Sequence, residues 1–224
     1  FYGWINEGVI MNQQELDEAP IFNPGGRAES RVGDLRFKDI NNDGVIDGDD
    51  RTIMGNPHPD FIYGMINNFA YKNFELSISL QGIQGNDILQ GHRNRIMNTR
   101  GRRNQMAIMN DYWKSEENPG NGKIPRPNNS PTGNNRGRWS SFHLDDGSFM
   151  RINNITFAYN FEAATLERLG LGSLRLYLSS LNPVTITSYP GFNPDVSSTG
   201  SPLGPGQDWN EYPVMRTFSL GANV

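Results

Sequence analysis

The sequence predicts an all-β chain of antiparallel strands carrying long loops, and three observations lead there. Phe74, Leu76, Ile78 and Leu80 alternate with Glu75, Ser77, Ser79 and Gln81, the period-two pattern of a strand with one apolar and one polar face. Only 35% of the 224 residues are hydrophobic while 25 are Gly and 14 are Pro, a composition that favours turns over helices. The connections also fall into two classes, very short and very long.

Taken in order, Phe61, Tyr63, Met65, Phe69 and Tyr71 alternate loosely as a strand, and Lys72-Asn73 supplies a tight turn into the strand beginning at Phe74. A second pair is predicted over Phe149 to Asn160 and Ser173 to Leu181, with Leu174, Leu176 and Leu178 opposing Ser173, Arg175, Tyr177 and Ser179. The link from Glu162 to Gly172 accommodates a helical turn over Ala163 to Leu169, stopped by Gly170 and Gly172. A last strand runs from Val214 to Val224, with Val214, Phe218, Leu220, Ala222 and Val224 on one face. Between these lie Gly82 to Gly147 and Asn182 to Pro213, much longer than ordinary connections, with one predicted helix at Gln105 to Lys114.

If the strands run up and down, the short turns lie on one side and the long loops on the other, the layout of an outer-membrane barrel. Aromatics gather beside the short turns, Phe69, Tyr71 and Phe74 at one and Phe157, Tyr159 and Phe161 at the other, as an interfacial girdle requires. A soluble β-sandwich alternates equally well, and pattern alone leaves both open. No apolar run reaches the ~18 residues of a membrane helix and the mean hydropathy is −0.62, a test that does not see barrels. A net charge of −4 gives no global attraction to nucleic acid, and the absence of cysteine excludes disulfides, thiolate metal sites and a cysteine nucleophile.

The strongest chemical motif is the twelve-residue loop from Asp39 to Asp50. Asp39, Asn41, Asp43, Asp47 and Asp50 occupy positions one, three, five, nine and twelve, with Gly44 at the sharp turn and the Val45 carbonyl as a backbone ligand. That spacing suits a hard cation needing six or more oxygens, so calcium in a structural role is expected; an ion-free Asn/Asp/Gly turn is the competing reading. Arg93, Arg95, Arg100, Arg102 and Arg103 read as a solvated loop rather than a nucleic-acid site. Trp113, Trp139, Phe142 and Trp209 lie in loops, where they either contact substrate or partner or pack loop against loop. His58, His92 and His143 lack metal-ligand spacing, Asp145 and Asp146 point to opposite sides of a strand, and no catalytic constellation emerges.

Several stretches together resemble the SusC/RagA family of TonB-linked outer-membrane proteins. They are Gly33-Asp34-Leu35-Arg36-Phe37-Lys38-Asp39-Ile40-Asn41-Asn42-Asp43-Gly44, Tyr71-Lys72-Asn73-Phe74-Glu75-Leu76, and Gln81-Gly82 with Gly85-Asn86-Asp87-Ile88. Asp146-Gly147-Ser148-Phe149-Met150-Arg151-Ile152 follows, then Asn182-Pro183, Tyr189-Pro190-Gly191-Phe192-Asn193-Pro194-Asp195, and Tyr212-Pro213 leading into Arg216-Thr217-Phe218-Ser219-Leu220-Gly221. The resemblance implies that residues 1–224 are the C-terminal part of a transmembrane antiparallel barrel of about 22 strands, roughly its last five or six, with long extracellular loops. It further implies an outer-membrane address in a Gram-negative bacterium of the Bacteroidetes type and a nutrient importer rather than an enzyme. The implied partners are a SusD-like surface lipoprotein, TonB acting through an N-terminal part, outer-membrane lipid, and an oligosaccharide or peptide substrate, with no nucleic acid. The opening at Phe1 without a leader and the end at Val224 without a terminal aromatic are expected of a chain cut at both ends. A secreted, calcium-stabilised carbohydrate-binding β-sandwich is the alternative.

Overall fold

A computed structural model describes residues 1–22, 30–91, 93, 105, 107–127, 138–167, 170–196 and 204–224. They divide into two compact units.

The first unit, His58–Asp87, Asp146–Ser197 and Asn210–Val224, is built on a single five-stranded sheet. Its strands are β7 (Phe61–Tyr71), β8 (Phe74–Gln84), β11 (Phe149–Asn160), β12 (Arg175–Thr187) and β14 (Thr217–Asn223), numbered by their place among all strands of the chain. The spatial order is β14-β12-β11-β8-β7, with every neighbour antiparallel. Directly opposed residues share a face, so the register Tyr71↔Phe74↔Tyr159↔Leu176↔Ala222 and Phe69↔Leu76↔Phe157↔Leu178↔Leu220 gathers the apolar sets of all five strands on one side. The opposite side carries Glu75, Ser77, Ser79, Asn154, Thr156, Arg175, Ser179 and Ser219. One extra residue in β11 between Ile152 and Asn154 forms a bulge, without which the alternation would fall out of phase with β8.

The predicted hairpin forms: Lys72 takes φ +51°, which closes the two-residue turn between β7 and β8. The strand predicted over Phe149 to Asn160 is found with those limits. Its partner starts at Arg175, not Ser173, and runs on to Thr187, so Leu174 lies outside the strand. The last strand starts at Thr217 rather than Val214, because its pairing with β12 ends at Leu181↔Thr217, where Asn182 turns left-handed at φ +50° and Pro183 has no amide to donate. A short helix, Ala163–Leu166, occupies the predicted link, and its predicted extension to Leu169 falls partly outside the described residues.

The second unit, Phe1–Pro57, Ile88–Asp145 and Ser198–Trp209, has, among the described residues, local structure that the sequence pattern did not reveal. Very short strands pair in ribbons: β1 (Tyr2–Trp4) with β6 (Arg51–Ile53), β2 (Asn6–Val9) with β4 (Leu35–Phe37), and β3 (Ile21–Phe22) in parallel with β5 (Val45–Ile46). A further sheet orders β10 (Leu144–Asp146), β9 (Asp87–Gln90) and β13 (Gln207–Asp208). Val9, Phe22, Leu35, Phe37 and Ile46 close into a buried core, flanked by Trp4, Met11, Trp113 and Phe142. The Phe22 and Phe37 rings lie 5.3 Å apart, and the Trp4 indole donates to the Asp47 carbonyl at 2.7 Å. The predicted helix at Gln105 to Lys114 shrinks to a 3₁₀ segment, Ala107–Asp111.

Candidate functional site

The sheet's apolar face is the first functional feature. Leu220 is 82%, Phe218 71%, Phe69 58% and Leu178 53% exposed, a contiguous apolar surface that a water-soluble unit would have to bury. The apolar residues of such a wall belong against hydrocarbon, with their polar neighbours on the other side. Beside the short turns Phe74 stacks on Phe157 at 5.7 Å and meets Tyr159 at 4.8 Å, with Phe161 at 4.9 Å from Tyr159. This is the aromatic band expected where strands leave the membrane. On the polar side Glu75 accepts from Asn160 Nδ2 at 2.9 Å and pairs with Arg175 Nη2 at 3.1 Å, so each of these two charges has its counter-charge.

The 39–50 loop is wound around its own acidic side chains. Asp39 accepts the Asn42 and Gly44 amides at 2.7 and 2.8 Å, Asn41 the Asp43 amide, Asp43 the Val45 amide and Asp47 the Asp49 amide. Asp50 is fully buried and accepts from Ile40 and Asp47, both at 2.8 Å, tying the loop's beginning to its end. Asn42 at φ +60° and Gly44 at φ +82° make the tight winding possible. Val45 and Ile46 form β5, and buried Ile46 anchors the loop in the core. The six ligand candidates, Asp39, Asn41, Asp43, Val45, Asp47 and Asp50, are thus held in one loop. Their carboxylates turn toward loop amides, and among the described residues no three Asp, Glu, His or Cys side chains converge on a metal-sized site.

The candidate contact aromatics are half-buried and packed together rather than set out as a platform. Trp139 lies edge-on to Trp209 at 6.0 Å and to His143 at 5.4 Å, Phe142 is 5.3 Å from His143, and Trp113 packs against the core while donating to the Met11 carbonyl at 3.2 Å. His143, 2% exposed, has its pKa pushed down to about 4 by burial, with the nearby Arg93 cation adding to the effect. Arg93 donates to the Phe142 carbonyl, to Gln90 Oε1 at 3.2 Å and to Asp145 at 2.6 Å. The adjacent acids therefore have separate tasks: Asp145 pairs with Arg93, whereas Asp146 is held below the usual carboxylate range by hydrogen bonds from Ser148 and Ser188. Arg95, Arg100, Arg102, Arg103 and His92 lie outside the described residues.

Sequence reasoning missed the buried Arg151, which binds Thr185, Asn193 and Asp195. The signal was present, since Arg151 sits on the polar phase of a strand and Asn193-Pro194-Asp195 follows β12 as an Asx turn.

No family model matches the chain. It is 31% identical over 229 residues to the TonB-dependent receptor P3 of Formosa agariphila, covering 100% of this chain and 22% of the receptor. To the TonB-dependent receptor SusC of Bacteroides thetaiotaomicron it is 31% identical over 194 residues, covering 84% of this chain and 17% of SusC. Among solved structures it superposes on the RagAB peptide transporter with a TM-score of 0.72 at 20% identity, covering 99% of this chain and 22% of that one. The RagAB peptide importer in its open-open state gives 0.71 at 19%, again with 99% and 22% covered. The chain spans about a fifth of the length of the relatives it matches. With an apolar sheet face left for lipid and a sequence that aligns from end to end with outer-membrane receptors, the chain belongs to the SusC/RagA-type TonB-dependent receptors of the Bacteroidetes outer membrane.

Proposed function

We propose that this chain is the C-terminal wall and part of the outer loop system of an importer that moves oligosaccharides or peptides across the outer membrane. The observation that carries the reading is the five-stranded sheet with an exposed apolar face, found in a sequence that matches TonB-dependent receptors along its length. In this reading TonB engages a part of the receptor outside this chain, and a SusD-like lipoprotein meets the outer loops and delivers substrate. The protein carries cargo and transforms nothing. The test is uptake of fluorescent oligosaccharide and peptide pools by cells that make the intact receptor. Uptake that collapses on deletion of either the receptor or TonB supports the proposal, and the pool that is lost names the cargo. Undiminished uptake of both pools contradicts it.

We also propose that the 39–50 loop takes up calcium. The support is the spacing of its oxygens and the two left-handed residues, Asn42 and Gly44, that wind it. Binding requires carboxylates such as Asp43 and Asp47 to turn from their amide partners toward a shared centre. The ion would stiffen the outer loop and take no part in chemistry.

A further inference from the structure

Residues 188–196 leave the end of β12 and read, from composition, as the start of a long loop. They are tied down at both ends. At the root, Thr187 Oγ1 donates to the Ser148 carbonyl at 2.9 Å and accepts the Tyr189 amide at 3.0 Å, while Ser188 Oγ donates to Asp146 Oδ2 at 3.1 Å. At the far end Arg151, 5% exposed on β11, donates through Nη2 to Asn193 Oδ1 at 2.8 Å and through Nε to Thr185 Oγ1 at 3.1 Å. Its Nη1 lies 3.7 Å from Asp195 Oδ2, and its guanidinium sits 5.0 Å from the Phe149 ring centre. Asn193 closes the turn by donating to the Asp195 carbonyl at 3.0 Å and accepting the Asp195 amide at 3.1 Å.

A guanidinium so shielded from water needs its counter-groups, and those of Arg151 are divided between the wall (Thr185) and the loop (Asn193, Asp195). Lifting the loop would leave the cation in the sheet with its loop partners gone. We propose that residues 188–196 form a strap latched onto the polar face of the sheet, with Arg151 as the positioning residue. Inside the strap, Tyr189 is buried with its ring over Gly191, and Phe192 is 76% exposed. The latch therefore presents the Phe192 ring at a fixed point, instead of letting it sweep with a free loop.

The test is hydrogen exchange on the intact receptor, comparing wild type with Arg151→Gln and Arg151→Lys. A spin label at Phe192→Cys serves as a second readout. Arg151→Gln should raise exchange across 188–196 by about tenfold or more and sharpen the spin-label spectrum, while β12 from Arg175 to Leu181 keeps its protection. Arg151→Lys, which keeps the charge and loses the fork, should fall between the two. If Arg151→Gln does not assemble, Asn193→Ala removes a loop-side partner and should free the strap in the same way. Unchanged exchange in the strap would overturn the proposal. So would strands that open together with it, since Arg151 would then support the sheet rather than latch a loop.

Discussion

Residue 78 sits mid-strand on the apolar face and residue 79 next to it on the polar face, so the pair isolates the effect of facing lipid. Ile78→Arg in the intact receptor is expected to cost about 2–4 kcal/mol of barrel stability, read by urea unfolding in vesicles, while Ser79→Lys is tolerated. Leu76, only three positions from the turn, should be less sensitive than Ile78, because the cost of a charge falls toward the interface. His143 makes a second prediction. Buried neutral with a pKa near 4 against an ordinary value of 6.5, it binds fewer protons folded than unfolded, so its contribution is full above pH 6.5 and is lost as pH falls toward 4. The loss amounts to roughly 3 kcal/mol. Proteolysis of the 138–146 segment should accelerate over that window in the wild type and show no such slope in His143→Gln. For the calcium loop, calorimetry should show heat in wild type, none in Asp43→Ala, and near-normal heat in Asn42→Gly. Glycine is the proper control there because Asn42 is left-handed and alanine would add strain. No heat in wild type, or equal loss in both variants, would leave the loop an ion-free turn.

At the scale of elements, the long strands were legible because one face of each is apolar over many residues, and Phe149 to Asn160 could be read to its ends. The limits of β12 and β14 were not, since Ser173 and Val214 continue an alternation that hydrogen bonding does not follow. The ribbons of the second unit were illegible for a different reason. Pairs such as Ile21–Phe22 with Val45–Ile46 are two residues long and join distant segments, too short for any period to show. Their core, with Val9 and Phe37 in one ribbon and Phe22 and Ile46 in another, exists only once the chain has folded back on itself. The oxygen spacing of the 39–50 loop was readable, but not that its acids turn to their own amides. The β7–β8 turn can be tested directly: Lys72→Gly should stabilise the hairpin by up to about 1 kcal/mol and Lys72→Val should weaken it, since φ +51° suits glycine and opposes a branched side chain.

At the scale of the molecule, the choice lay between a barrel wall and a soluble sandwich. Alternation served both equally. What separates them is that, among the described residues, the first unit holds one sheet and leaves its apolar face exposed. The chain's high Asn, Gly and Pro content belongs largely to the other unit, which has its own core and so accounts for the long connections. The contact of the five strands' apolar face with lipid can be measured. Its most direct test is a scan of single spin labels from Phe74 to Gln84 in the intact receptor reconstituted in bilayers, measuring collisions with oxygen, which concentrates in lipid, against a water-soluble nickel chelate. Strands with one face in lipid should show a period of two, with oxygen contact greatest at Leu76, Ile78 and Leu80 and least at Ser77 and Ser79. A flat profile, or one with the serines in the lipid phase, would contradict it.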